Sequence, residues 1–133
     1  MTEEQATVFV VDDDLSVRRG LARLLRSDGY RVETFASARE FLERANLQGS
    51  GCLVVDVRMP GENGLDLQQA LAAAGHATPV IFITGHGDVS VALRAMTAGA
   101  VDFLTKPFDD SALLEAVRQA LTRARRASAS DSA

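Results

Sequence analysis

The sequence predicts an α/β fold in which helices cover a doubly wound parallel sheet of five strands. Three runs, residues 8–11, 52–55 and 80–83, are continuously apolar and rich in β-branched residues. Such runs are typical of strands that are buried on both faces. Residues 49–51, Gly-Ser-Gly, are expected to form a loop before the second run. Segments with apolar residues at helical spacing separate the runs, and this alternation favours a parallel sheet between two helical layers.

The other elements follow from weaker patterns along the chain. Residues 31–35 alternate like a half-buried strand, and residues 101–104 are predicted to form a last short strand. Ser37 is expected to cap the second helix, and Asp109 or Asp110 the fifth. Glycines are expected to end three helices. The helix-forming apolar positions, with those glycines, are Val17, Leu21, Leu24, Leu25 and Gly29; Leu42 and Ala45; Leu65, Leu67, Leu71 and Gly75; Val91, Leu93, Ala95, Met96 and Gly99; and Leu113, Leu114, Val117 and Leu121.

Composition and charge limit the possible functions. A chain of 133 residues is expected to form one domain. The net charge of −4 argues against direct nucleic-acid binding by this segment, because phosphate contacts need clustered positive charge. The single cysteine, Cys52, allows no disulfide within the chain and fits a reducing cytoplasm. No apolar run is long enough to cross a membrane, so no membrane association is expected.

Polar side chains follow four of the predicted strands. Asp12 and Asp13 follow the first strand, Asp56 the third, Thr84 the fourth and Lys106 the fifth. Lys106 is also the only lysine, since every other basic residue is an arginine. Ligands of open α/β sheets bind at the carboxyl ends of the strands, where the strand order reverses. In the flavodoxin-like order 2-1-3-4-5, the first and third strands are neighbours, so the three carboxylates are expected to lie together.

Carboxylates this close repel one another unless a cation lies among them. Oxygen ligands at an open edge suit Mg²⁺, which keeps several waters and takes one or two carboxylates. A divalent ion beside a carboxylate, a hydroxyl and a lysine forms a site for phosphoryl transfer, in which positioning and charge neutralisation matter most. A carboxylate can itself be the nucleophile and become an aspartyl phosphate.

Four segments of the sequence resemble the receiver domain of two-component response regulators, and in particular the FixJ-like branch. The segments are Val-Phe-Val-Val-Asp-Asp-Asp, Cys-Leu-Val-Val-Asp-Val-Arg-Met-Pro-Gly, Phe-Ile-Thr-Gly-His-Gly-Asp and Ala-Val-Asp-Phe-Leu-Thr-Lys-Pro-Phe. Their order and spacing match the family over nearly the whole predicted fold. The receiver domain is predicted over residues 1–122, and the composition of residues 123–133, rich in arginine, alanine and serine, predicts a linker or disordered tail.

The resemblance also implies roles for individual residues. Asp56 is implied to be the phosphoacceptor. Thr84 and Lys106 are implied to bind the phosphoryl group, and Phe103 lies at the position of the family's switch aromatic. The Lys106–Pro107 bond is expected to be cis. The implied ligands of Mg²⁺ are Asp12, Asp13, Asp56 and the main-chain carbonyl of Arg58.

A sensor histidine kinase is the implied partner. Phosphorylation is expected to draw Thr84 inward and to let Phe103 rotate, which repacks the face formed by the fourth helix, fifth strand and fifth helix. In the FixJ-like branch this face commonly forms a homodimer and controls a DNA-binding effector domain, here absent from the chain. No enzyme activity is expected beyond the domain's own phosphotransfer and slow autodephosphorylation. His86 and Arg58 occupy positions that tune phosphoryl lifetime in receiver domains, although a plain surface role fits each equally well.

Two other functions use the same residues. A haloacid-dehalogenase-like phosphatase would act through Asp12 and Asp14, but it would leave Asp56 unused, and the chain has no room for its cap. In that alternative Asp109 and Asp110 would have to end a strand, although they are predicted to begin a helix. A flavodoxin-like nucleotide or flavin module is disfavoured, because the three aspartates after the first strand would repel a phosphate. The simplest role of Asp12–Asp14 would be to cap the first helix.

Overall fold

The computed structural model describes residues 6–47, 51–59, 62–85 and 89–132. The main sheet consists of β1 (Thr7–Val11), β2 (Arg31–Phe35), β3 (Gly51–Asp56), β4 (Val80–Thr84) and β5 (Asp102–Thr105). Its strand pairs are all parallel, and the spatial order is β2-β1-β3-β4-β5. The predicted flavodoxin-like sheet with strand order 2-1-3-4-5 is confirmed.

Five helices connect the strands and cover both faces of the sheet. They are α1 (Leu15–Ser27), α2 (Ala38–Arg44), α3 (Gly64–Ala73), α4 (Val89–Thr97) and α5 (Asp110–Ser132). One apolar cluster joins the sheet to α1 and α5, and a second joins it to α2, α3 and α4. The predicted alternation of strands and helices is therefore confirmed.

The strands are apolar throughout because successive side chains point to opposite faces and both faces are covered. In β1, Val10 packs in the cluster beneath α1 and α5, whereas Phe9 packs in the cluster beneath α2, α3 and α4. Phe9, Phe35 and Phe41 form an aromatic group on the second face, with neighbouring ring centroids 5.4–6.4 Å apart. Cys52 is a fully buried core residue, as its position in a buried strand predicts.

The helix ends agree with the signals in the sequence. Ser37 caps α2, because its hydroxyl oxygen accepts a hydrogen bond from the Glu40 N–H at 3.0 Å. Gly29, Gly75 and Gly99 follow α1, α3 and α4 with φ angles of 93°, 82° and 101°. These left-handed conformations suit glycine, which lacks a Cβ atom, and they explain why the helices end there.

Two features near the middle of the chain were not predicted. Residues Arg58–Met59 and Glu62–Asn63 form a short antiparallel hairpin between β3 and α3. Strands of two residues carry no periodicity, so the sequence gives no signal for them. The expectation that Gly51 lies in a loop was wrong, because Gly51 begins β3; residues 49 and 50 lie outside the described residues.

The last helix continues through most of the segment that was assigned to a linker or tail. α5 runs to Ser132, whereas the predicted domain boundary is at residue 122. Alanine and arginine dominate this segment and both favour helices, which accounts for the continuation. The boundary itself stays a prediction. Within the described residues, no helix combines the length and the apolar character that a bilayer-spanning segment needs.

Candidate functional site

A cluster of three carboxylates lies at the carboxyl edge of the sheet, where β1 and β3 are neighbours. Asp12 and Asp13 directly follow β1, and Asp56 is the last residue of β3. Val11 pairs with Val55 across the two strands, so the aspartates that follow them are brought side by side. Asp12, Asp13 and Asp56 each offer a carboxylate oxygen that lies within 4.8 Å of the others. The predicted grouping of these carboxylates is thus present.

Asp12 is the most deeply buried member of this cluster, with 1% of its surface exposed. Its Oδ1 atom accepts a hydrogen bond from the Asp14 N–H at 2.9 Å. Its Oδ2 atom is buried and has no hydrogen-bond partner among the described residues. The Arg18 guanidinium donates to the Asp12 main-chain carbonyl at 2.7 Å, which fixes the backbone at this corner. An orphaned carboxylate oxygen of this kind is costly unless another group, such as a cation, approaches it.

Lys106 follows β5 and approaches the buried carboxylates of Asp12 and Asp56. Its Nζ atom lies 3.7 Å from Oδ2 of Asp56 and 4.0 Å from Oδ2 of Asp12, and 31% of its side chain is exposed. The Lys106 N–H donates to the Thr84 carbonyl at 2.8 Å, which aligns the ends of β4 and β5. The Lys106–Pro107 bond is cis, as expected. The geometry therefore gives the cluster one cation that reaches both of its buried members.

The electrostatic balance of the cluster remains negative. Burial raises the pKa of Asp12, and the charges of Asp56 and Asp13 raise it further; the Asp14 N–H and Lys106 act in the opposite direction. The positive charge of Lys106 thus offsets only part of the negative charge of the three carboxylates. An all-oxygen donor set with excess negative charge and an orphaned oxygen fits a hard divalent cation such as Mg²⁺.

Thr84 and Phe103 lie on two adjacent strands near this cluster. Thr84 ends β4 and is 2% exposed, and Phe103 is half-buried in β5. Phe82 pairs with Phe103 in the sheet, and their ring centroids are 6.4 Å apart. Residues two apart in a strand share a face, so Thr84 lies on the same face as Phe82 and Phe103. This face is the one that α2, α3 and α4 cover.

Gly64, which begins α3, is a site residue that the sequence analysis missed. A Cβ atom at this position would lie 3.0 Å from the Asp56 carbonyl oxygen and 3.0 Å from a ring carbon of Phe82. The Gly64 N–H also donates to the Val57 carbonyl at 2.9 Å. The start of α3 is therefore packed directly against the backbone of Asp56. Glycine immediately before an apolar helix was the available signal in the sequence.

The sequence matches the family described as the response regulator receiver domain over residues 8–118. The chain belongs to this family. A receiver domain is a phosphorylation-controlled signalling switch, and this one carries the family's fold over the matched residues. The prediction made from the four sequence segments is confirmed, including its placement near FixJ.

Curated relatives of this receiver domain are response regulators. It is 53% identical over 122 residues to Nodulation protein W of Bradyrhizobium diazoefficiens, covering 92% of this chain and 54% of that protein. It is 51% identical over 120 residues to the transcriptional regulatory protein FixJ of Azorhizobium caulinodans, covering 90% of this chain and 57% of that protein. The chain thus spans about half the length of these relatives.

Solved structures of response regulators share the fold. A low-resolution structure of the response regulator StyR has a TM-score of 0.89 and 52% identity, covering 97% of this chain and 66% of that chain. The crystal structure of FixJ-N has a TM-score of 0.83 and 43% identity, covering 90% of this chain and 96% of that chain. The agreement with FixJ-N extends over nearly all of that molecule.

The phosphatase alternative is not supported. Asp14 serves as the N-cap of α1, with Oδ1 accepting hydrogen bonds from the Ser16 and Val17 N–H groups at 2.8 and 3.3 Å. Asp109 and Asp110 lie at the start of α5, where the Asp109 carbonyl accepts from the first turn. The capping role considered for the whole aspartate run thus belongs to Asp14.

The roles predicted for Arg58 and His86 stay predictions. Arg58 lies in the hairpin that follows β3, two residues after Asp56. Its main-chain carbonyl as a Mg²⁺ ligand stays a prediction, as does its influence on phosphoryl lifetime. His86, the other position with a predicted influence on lifetime, lies outside the described residues.

Proposed function

We propose that this receiver domain accepts a phosphoryl group on Asp56 from a sensor histidine kinase. The observation that carries the proposal is the position of Asp56: its Oδ2 atom lies 3.7 Å from Lys106 Nζ, and its carboxylate shares a cluster with Asp12 and Asp13. Asp56 is 9% exposed, so a small part of this buried residue remains accessible to a donor at the rim.

In the proposed reaction, a carboxylate oxygen of Asp56 forms a bond to phosphorus while the bond between phosphorus and the donor's leaving group breaks. Mg²⁺, when bound, would supply positive charge that offsets the negative charge of the phosphoryl group. Asp12, Asp13, Asp56 and the Arg58 carbonyl would hold it. Lys106 loses the Asp56 charge as a partner and gains the phosphoryl oxygens, so it stays paired through the reaction. Slow autodephosphorylation, in which water attacks the same phosphorus atom, completes the cycle.

The proposed response begins at Thr84. Its hydroxyl moves inward to donate to a phosphoryl oxygen, because phosphorylation adds about −1.5 to −2 charge and three strong acceptors. Phe103, on the same face of the sheet, then rotates into the vacated space. The face formed by α4, β5 and α5 repacks as a consequence, which makes it a two-state element that the phosphoryl group biases.

The proposed output is homodimerisation through this face and control of a DNA-binding effector domain. Leu93 and Met96 of α4 support the dimer, since they are 63% and 45% exposed and offer apolar surface. The relative FixJ is described as a transcriptional regulatory protein, which supports a transcriptional output. A cytoplasmic location is part of the same proposal. The receiver domain itself makes no nucleic-acid contact in this proposal, in keeping with its net charge of −4.

The decisive experiment treats the protein with a small-molecule phosphodonor and Mg²⁺ and measures intact mass. We expect one added phosphoryl group that is removed by hydroxylamine, none in Asp56→Asn, and none when Mg²⁺ is chelated. Asp66→Asn is the matched control, because Asp66 is an exposed carboxylate on α3. Full modification of Asp56→Asn, or loss of modification in Asp66→Asn, would contradict the assignment.

Size-exclusion chromatography of the same samples tests the proposed output. The phosphorylated wild-type protein is expected to elute earlier, as a dimer. Leu93→Ser is expected to keep phosphorylation and to lose the shift, since it removes exposed apolar surface without touching the rim. An unchanged elution volume after full phosphorylation of the wild-type protein would refute dimerisation while leaving the phosphoacceptor intact.

A further inference from the structure

A buried glutamine lies between α3 and α4. Gln68 is 8% exposed and belongs to the buried face of α3. Its Nε2 atom donates to the Ala95 carbonyl of α4 at 3.5 Å, which is longer than the usual 2.9–3.0 Å. The same carbonyl already accepts from the Ala100 N–H at 3.0 Å. Oε1 of Gln68 is buried and has no hydrogen-bond partner among the described residues.

α4 is weakly anchored at this contact. Ala95 is the single buried residue among the α4 side chains that the structure describes, whereas α1 buries Leu21, Ala22 and Leu25. A helix held by so few buried groups opens or shifts at lower cost than its neighbours. The amide of Gln68 lowers that cost further, because an unsatisfied buried acceptor destabilises the present position of α4.

The groove between the two helices contains donors that could satisfy the glutamine. Arg94 and Thr97 of α4 line this groove together with Gln68, Leu65 and Leu93. Within the described part of the chain, neither donor is bonded to Gln68 Oε1. Oε1 is too enclosed for a ligand from solvent to reach, so a movement of α4 toward α3 is the direct way to provide a partner.

α3 also connects this glutamine to the rim. Its first residue, Gly64, packs against the Asp56 carbonyl, and Gln68 lies one helical turn further along. A change at the Asp56 backbone is therefore transmitted to the contact with α4 through the first turn of α3.

We propose that Gln68 is a positioning residue of the switch. Its unsatisfied Oε1 atom destabilises the present position of α4. It stabilises a second position of α4, in which Arg94 or Thr97 donates a hydrogen bond to Oε1. This inference rests on the proposed phosphorylation of Asp56, which would select the second position. An orphaned acceptor shifts a two-state equilibrium by about fivefold to a hundredfold, so its removal changes the response measurably.

The test compares Gln68→Met with Gln69→Met. Methionine is close to glutamine in size and carries no hydrogen-bonding amide. Gln69 also lines this groove but is exposed, so it serves as the matched control for loss of an amide that is not buried. For Gln68→Met we expect a higher urea midpoint without phosphodonor, and a phosphodonor-induced change in hydrogen exchange of residues 89–98 reduced about fivefold or more. Gln69→Met is expected to match the wild type in both.

A second variant tests the other half of the contact. Arg94→Met combined with Thr97→Val removes both donors from exposed positions. We expect an unchanged urea midpoint without phosphodonor and the same reduced exchange response, whereas a merely structural glutamine would leave the response intact. Normal phosphorylation and a normal α4 response in both variants would overturn the proposal. Absence of Asp56 phosphorylation in the wild type would instead refute the proposed function.

Discussion

Replacing Asp12 with asparagine is expected to stabilise the metal-free domain at neutral pH and to abolish its stabilisation by Mg²⁺. Asparagine keeps the shape of the side chain, including an oxygen for the Asp14 N–H, and removes the charge. The Oδ2 atom that it replaces is buried and has no hydrogen-bond partner among the described residues. Replacing the Asp12 carboxylate with a neutral amide therefore removes an unfavourable buried charge and few favourable contacts.

The magnitude follows from the distances around Asp12. Attraction to Lys106 at 4.0 Å is worth about 4 kcal/mol at an effective dielectric constant of about 20. Repulsion by Asp56 within 4.8 Å is worth about 3.5 kcal/mol on the same scale, and exposed Asp13 adds a smaller amount. These terms nearly cancel. Asparagine places a neutral amide nitrogen where the charged Oδ2 atom was, so the expected gain in the free energy of unfolding is the difference between burying a charged and a neutral group, about 1–3 kcal/mol.

Thermal unfolding with and without Mg²⁺ measures both effects. In a chelator at neutral pH, the variant is expected to melt higher than the wild type, by about 4 °C per kcal/mol for a domain of this size. Mg²⁺ at about one hundred times its dissociation constant is expected to stabilise the wild type by about 2.7 kcal/mol and the variant far less. Asp66→Asn, an exposed carboxylate on α3, should change neither value by more than about 0.5 kcal/mol.

The pH dependence of the stability of the two proteins provides a test that can refute this reasoning. Because the folded pKa of Asp12 is raised above 3.8, the folded protein binds a proton more readily than the unfolded chain. The wild type therefore loses stability relative to the variant as pH rises from 3.8 through the folded pKa, and the two proteins converge below 3.8. A variant that is less stable than the wild type at neutral pH in chelator, or one that Mg²⁺ stabilises equally, would refute the reasoning.

Three other predictions concern the core and its packing. Phe41→Ala is expected to lower the free energy of unfolding by about 3–5 kcal/mol in urea titrations, because its ring is fully buried. Cys52 is expected to resist thiol reagents until the protein is denatured, because burial raises its pKa to about 12; rapid labelling of the folded protein would contradict its burial. Gly64→Ala is expected to cost about 1–3 kcal/mol, because the added Cβ would lie 3.0 Å from the Asp56 carbonyl oxygen. Gly20→Ala, which meets no atom within 4 Å, is its control and should not be destabilising.

The sheet and the carboxylate cluster could be predicted because each depends on a local pattern and one topological rule. Continuous apolar runs identified β1, β3 and β4, and the aspartates and threonine directly after them marked the carboxyl edge. Once β1 and β3 are neighbours, Asp12 and Asp56 must lie side by side. Lys106 was identified by composition and by its place after the last strand, and its position near both buried carboxylates agrees with that inference.

The remaining features depend on close approaches that no local pattern encodes. Gly64 matters because the Asp56 carbonyl and the Phe82 ring leave no room for a Cβ atom, a fact that only the packing of α3 reveals. Gln68 has the sequence character of an ordinary solvent-facing helix residue, yet α4 covers it. The continuation of α5 beyond residue 122 could have been predicted, since alanine and arginine favour helices, but the polar composition of the segment favoured a tail.

Two buried side-chain oxygens lack hydrogen-bond partners in the part of the chain that the structure describes. One is Oδ2 of Asp12 at the rim, and the other is Oε1 of Gln68 beneath α4. Folded proteins satisfy nearly all such groups, so exceptions call for a physical reason. A Mg²⁺ ion would provide one at the rim, and the proposed second position of α4 would provide one at Gln68. Since Gly64 packs against Asp56 and Gln68 follows one turn later, Gln68 lies on the proposed route from Asp56 to α4.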